Sequence, residues 1–135
     1  REGFRAAFDG FDIDRVAAMT ERDVARLAQD TGIIRHRGKI ESTINNAVRT
    51  LEVQEEAGSL AAFVWAFEPE GPSPMAALTP KSVALSKALK QRGFTWTGPT
   101  TAYAFMQAMG LVNDHLDGCD IRGKVEQARA TFQRP

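Results

Sequence analysis

The chain of 135 residues has little of several things that would define a function class outright. A single cysteine, Cys119, excludes an intrachain disulfide and fits a reducing compartment. The longest apolar stretches, such as Leu60 to Phe67, fall far short of the roughly 20 residues of a membrane-spanning helix. No charged-then-apolar signal segment opens the chain, so a cytoplasmic protein with no membrane partner is expected. Neither sign of charge is in excess: 17 Lys and Arg stand against 17 Asp and Glu. A nucleic-acid partner must therefore be held by a local patch. Strict apolar–polar alternation, fixed-period repeats and low-complexity tracts are also lacking, which leaves neither a sheet nor a solenoid to build. An initiator Met is absent too. Arg1-Glu2-Gly3-Phe4 reads as the middle of an amphipathic turn, so a natural N-terminal segment is expected ahead of it.

What is present is a globular composition, 43% hydrophobic and 25% charged, at a length that encloses one core. The periodicity is helical throughout, and the expected fold is all-α. Phe4 and Phe8 share one helix face, closed by Asp9-Gly10, and a short turn follows over Ile13 to Met19. Thr20 with Asp23 at N3 resembles a capping box for a helix that buries Val24 and Leu27 and stops at Gly32. Ile40, Ile44, Ala47, Val48 and Leu51 mark the longest helix, from about Lys39 to Ala57, ended by Gly58. Ser59 caps the next helix, with Leu60, Phe63, Val64 and Phe67 as its stripe. Three prolines between Glu68 and Pro74 make that run a surface loop. A helix after Pro80 carries Val83, Leu85, Ala88 and Leu89 to Gly93. Another begins at Pro99 and carries Tyr103, Phe105, Met106 and Met109 to Gly110.

Three groups of residues have chemical potential. In the first, Gly93 and Gly98 bracket a tight turn between two helices, and the N–H groups of Thr100 and Thr101 at the second helix's start lack intrahelical acceptors. They are placed to bind a phosphate, with Lys87, Lys90 and Arg92 beside them, although the same pattern describes an ordinary αα-hairpin. The second is the run Arg35-His36-Arg37-Gly38-Lys39, in which Arg37 and Lys39 suit a DNA backbone. Cations at a helix start oppose its dipole, whereas pairing with acids such as Glu41 would make the run a solvated entrance. The third, His115-Leu116-Asp117-Gly118-Cys119, puts an imidazole and a thiol within reach of one metal ion, half of a four-ligand zinc site. An accidental pair or a Cys–His dyad fits that spacing as well.

Three strings carry a specific resemblance: Gly32 to Ile40 (GIIRHRGKI), Ala84 to Phe94 (ALSKALKQRGF) and Phe105 to His115 (FMQAMGLVNDH). In order and separation they resemble the DNA-3-methyladenine glycosylase I family, over most of the chain from Arg1 to Cys119. The resemblance implies a helix-hairpin-helix bundle, a single glycosylase domain over 1–119 that lacks its N-terminal segment, and an unmatched tail over 120–135. It implies a monofunctional enzyme that flips 3-methyladenine out of double-stranded DNA and hydrolyses its N-glycosidic bond. It makes Phe94 to Thr101 the DNA-gripping hairpin, and His115 and Cys119 two ligands of a structural zinc whose other Cys and His lie near the family's N-terminus. The Glu, Tyr and Trp that line the family's base pocket fall ahead of Arg1, so catalytic residues are not assigned here and the activity of this stretch alone is open. Asp114 lies near an aspartate essential elsewhere in the superfamily and is a weak catalytic candidate, with capping or orientation of His115 as its simpler role. A monomer is expected. Two other readings stand beside this one: a non-catalytic helix-hairpin-helix DNA-binding module, and a helical protein-interaction domain.

Overall fold

The computed structural model describes residues 1–72 and 75–135. Among them the regular structure is helical, with no strand: α1 (Glu2–Ala7), a 3₁₀ turn (Asp9–Phe11), α2 (Ile13–Ala17), α3 (Glu21–Leu27), α4 (Arg37–Ala57), α5 (Leu60–Trp65), α6 (Pro80–Gln91), α7 (Pro99–Ala108) and α8 (Asp120–Thr131). None of these helices is long and apolar enough to cross a membrane.

The buried side chains form two clusters. Phe8, Val16, Val24, Leu27 and Ile40 make the first, where α1 to α3 meet the start of α4. Val53, Phe63, Val64, Leu85, Phe94, Tyr103, Met106 and Leu111 lie in the second, between the end of α4 and α5 to α7. At 21 residues and about 1.5 Å per residue, α4 is long enough to supply Ile40 to one cluster and Val53 to the other. It begins at Arg37 with His36 as N-cap and ends at Gly58, whose φ of 83° suits glycine.

Local chemistry sets most of the other boundaries. Thr20 N–H donates to Asp23 Oδ2 at 2.9 Å at the head of α3, and Ser59 Oγ accepts from Ala62 N–H at 2.9 Å at the head of α5. Helices α6 and α7 end alike. Phe94 N–H reaches Leu89 O (3.1 Å) and Gly93 N–H reaches Lys90 O (3.0 Å); Leu111 N–H reaches Met106 O (2.9 Å) and Gly110 N–H reaches Gln107 O (3.2 Å). Each is a Schellman motif with a left-handed glycine, followed by a buried apolar residue, Phe94 or Leu111.

Several expectations need correction. Ile13 to Ala17 is a helix, capped by Asp12 through Arg15 N–H at 3.0 Å, instead of a turn. Helix α3 ends at Leu27, before Gly32, whose N–H is taken by the Asp30 side chain at 2.7 Å. Val83, Phe105 and Met109 are exposed. The buried face of α6 is Ser82, Leu85 and Ser86 instead, because both serine hydroxyls donate to main-chain oxygens, Thr79 O at 2.9 Å and Thr97 O at 2.6 Å. Small, satisfied side chains let α6 and α7 pack closely. Of the proline-rich loop, residues 68–72 are non-helical, and Ser73 and Pro74 lie outside the described residues.

Residues 120–131, for which periodicity offered no assignment, form α8. Its anchor is Glu68, which accepts from Arg129 at 3.0 Å and from Arg134 at 2.8 and 3.0 Å, while Arg129 also donates to Gly110 O. The Trp65 and Phe132 rings pack at 4.7 Å, tilted by 32°. The hydrogen bond from Arg134, helped by the charges of both arginines and opposed by desolvation, holds the Glu68 carboxyl below its ordinary value of 4.5. Since folding lowers this pKa, the unfolded chain binds the proton more readily. The stabilisation is complete above the ordinary glutamate range and drains as pH falls through the lower folded value. Glu68→Gln is expected to lower the melting temperature by a few degrees at pH 7, and the gap to wild type should narrow progressively in melts as the pH is taken below the ordinary glutamate value of 4.5.

Candidate nucleic-acid interface

The turn between α6 and α7 is held from outside by α4. Asn45 Nδ2 donates to Gly93 O at 2.9 Å. Asn46 both accepts from Thr95 N–H and donates to Thr95 O, each at 2.9 Å, so one amide side chain reads the two polar groups of one residue. On the other side Ser86 Oγ donates to Thr97 O. Between these anchors Trp96 adopts φ 61°. Gly98 precedes α7 with φ −65°, and open space surrounds the place a Cβ would occupy. Its use is therefore room for an approaching group, not left-handed backbone. The first main-chain bond of α7 runs from Ala102 N–H to Gly98 O at 2.8 Å, so the Thr100 and Thr101 N–H groups ahead of it have no carbonyl partner.

The basic run lies against this turn. His36 Nδ1 accepts from Lys39 N–H at 3.2 Å, which caps α4, and the imidazole meets the Trp96 ring edge-on at 5.3 Å. Lys39 Nζ stands 5.8 Å from the centre of the same ring. At Gly38 an added Cβ would lie 3.0 Å from His36 and 3.6 Å from Trp96, so the glycine makes room for both. Arg37 hydrogen-bonds Glu41 at 2.7 Å and pairs with Glu21; these bonds hold its guanidinium above the usual arginine value. The pairing with Glu41 that would make the run an ordinary helix entrance is thus present for Arg37. Lys39 stays unpaired, as do Lys87 and Lys90, which flank a hollow of about 440 Å³ floored by Val83 and Pro99. Every ion pair among the described residues uses an arginine and none a lysine.

At the far end of α7, Cys119 Sγ and His115 Nδ1 are 3.8 Å apart. Two such donors on one tetrahedral zinc ion stand about 3.6 Å apart, so the pair fits two corners of a site. No group of three or more His, Cys, Asp or Glu gathers among the described residues. Asp114 does not hold His115. Its Oδ2 accepts from Tyr103 OH at 2.8 Å and Gln107 Nε2 at 2.7 Å, tying the segment after α7 back to that helix. Burial first, then Asp114, pushes the Tyr103 phenol up to about 12.

A family model described as methyladenine glycosylase matches residues 1–123. The chain belongs to the methyladenine glycosylase family. DNA-3-methyladenine glycosylase 1 of Escherichia coli (strain K12) is 50% identical over 127 residues, covering 88% of this chain and 68% of that protein. The DNA-3-methyladenine glycosylase of Haemophilus influenzae is 42% identical over the same length, with 88% and 69% covered. A crystal structure of 3-methyladenine DNA glycosylase I superposes with a TM-score of 0.79 at 51% identity, over 89% of this chain and 70% of that one. The Staphylococcus aureus enzyme, from a study of 3-methyladenine recognition, gives 0.83 at 32% identity, over 90% and 69%.

In this member of the family, then, two of the three sequence groups come together, and the His–Cys pair stays apart from them. Sequence reasoning missed Asn45, Asn46, Ser86 and Trp96, which fasten or form the turn. The adjacent asparagines inside a helix were the available signal, since Asn disfavours helix interiors unless its side chain has another task. Asn46→Ala should destabilise the fold by about 1–2 kcal/mol, chiefly for the two hydrogen bonds lost to Thr95, with a third from Asn45 lost beside them. In hydrogen exchange, turn amides from Phe94 to Gly98 should become less protected while α4 keeps its protection.

Proposed function

We propose that the chain serves as a DNA repair glycosylase that hydrolyses the N-glycosidic bond of 3-methyladenine in alkylated double-stranded DNA. The observation that carries this reading is the hairpin pinned beside unpaired lysines in a member of this family. Methylation at N3 gives the adenine ring a formal positive charge, so the base departs with the C1′–N9 electron pair as a neutral molecule. Water adds to C1′ and its proton goes to solvent. Strong acid catalysis is unnecessary; the protein's task is to hold a distorted duplex and expose the base, which costs a few kcal/mol.

Within this reading the Thr100 and Thr101 amides and the backbone at Gly98 face DNA phosphate, with Lys39 and Lys90 as flanking charges. Gly93, expected to do the same, has its N–H on Lys90 O and its carbonyl on Asn45 and shapes the turn instead. Arg37, held by two carboxylates, stiffens the start of α4 and contributes less charge. Asp114 positions the chain after α7 and does not attack the sugar. The chain is read as a cytoplasmic monomer. His115 and Cys119 would supply two of four ligands to a structural zinc, which fastens the segment after α7 when bound and takes no part in bond cleavage.

Two measurements test the assignment. Methylated duplex DNA incubated with the protein should release free 3-methyladenine; DNA binding without release would favour a non-catalytic DNA-binding module. Lys39→Ala should weaken binding to damaged and undamaged duplex alike and lower the salt slope by about one unit. For the metal, in a protein that holds all four ligands Cys119→Ser should lower both zinc content and melting temperature, and a variant that keeps its full zinc would remove Cys119 from the ligand set; His115 and Cys119 alone should hold zinc only weakly.

A further inference from the structure

Trp96 is not explained by packing. It belongs to neither core cluster and is 55% exposed, at the tip of the turn. It is also, among the described residues, one of three non-glycine residues with positive φ, a conformation a bulky side chain keeps only when its surroundings impose it. Here they do. Asn46 fixes Thr95 on one side and Ser86 fixes Thr97 on the other, which leaves the residue between them no freedom to relax. His36 meets the ring edge-on, Lys39 stands over it, and Gly38 clears the space beneath. The arrangement holds an indole outward among cationic and N–H donors.

We propose that Trp96 is a DNA-contacting side chain, its indole packing against the flat face of a nucleotide next to the phosphate held by the turn. The proposal rests on the DNA-glycosylase reading and adds to it an aromatic contact beyond main-chain and lysine contacts. A nucleotide joins a charged phosphate to an apolar face, the combination that a ring beside an unpaired lysine matches. The face belongs either to an unstacked base or to a deoxyribose, and two DNA forms separate these. Base stacking predicts a larger loss on single-stranded DNA than on intact duplex, and sugar packing an equal loss on both.

The experiment measures fluorescence anisotropy of labelled undamaged duplex and single-stranded oligonucleotides at several salt concentrations, with wild type, Trp96→Ala and Trp96→Phe. Trp96→Ala should weaken binding by about tenfold or more with the salt slope unchanged, since no charge is lost. Trp96→Phe should recover most of the loss. In a Trp65→Phe background, which leaves Trp96 as the chain's only indole, DNA should quench or shift the emission, a readout that needs no change at Trp96. Wild-type affinity in a folded Trp96→Ala protein, or unaltered Trp96 emission at saturating DNA, would overturn the proposal while the interface stands. No DNA binding by wild type even at low salt would overturn the interface and the proposal together.

Discussion

One amide side chain determines how the candidate interface is presented. Asn46 meets both the N–H and the C=O of Thr95 and so acts as a segment of main chain would, joining a helix to a turn 49 residues away. Asn45 takes the carbonyl of Gly93 in the same way. The two side chains project from the middle of α4, between the positions that feed the two core clusters. The turn is thus registered against the helix that feeds both core clusters. Without that registration α6 and α7 would still form a hairpin held on α4 by Arg92–Glu56 and the Val53 cluster, but the hydrogen bonds that fix Thr95 and the carbonyl of Gly93 would be lost.

The charged residues divide their work by chemistry. Guanidinium groups offer several donors in a fixed plane, and here they join separate elements: Arg92 reaches Glu56 on α4 and lies 4.6 Å over the Phe63 ring, while Arg129 and Arg134 converge on Glu68. Ammonium groups are compact and strongly hydrated, and Lys39, Lys87 and Lys90 are left facing solvent near the turn. A chain of zero net charge can in this way leave a local cationic patch, because eight of its 17 carboxylates are engaged by arginine while these lysines stay unpaired.

Much of the fold was legible because its signals are local. Gly93 and Gly110, each followed by an apolar residue, announced the ends of α6 and α7; Ser59 and Thr20 announced two starts. Helix α2 escaped because five residues are too few for a period to register. The face of α6 was misread because Ser82 and Ser86 count as polar in a sequence and as satisfied, buried groups in the fold. At the site, the spacing of His115 and Cys119 and the run around Lys39 were visible as strings. Their relation to the turn was not, since the contacts of Asn45, Asn46 and His36 with it span about fifty residues or more. Residues 124–135 lie beyond the family match, yet α8 is fastened to Glu68 and Gly110, inside it.

The two sides of the Trp96 clamp differ in the length of chain they close. Ser86 to Thr97 spans 11 residues and Asn46 to Thr95 spans 49. Closing the longer loop costs about 1.3 kcal/mol more in chain entropy by logarithmic scaling. Contacts of short separation form readily in isolation, and those of long separation wait for partners that share their cost. By this scaling the clamp at Thr97 closes before the clamp at Thr95, so docking on α4 is the step that completes the constraint on Trp96.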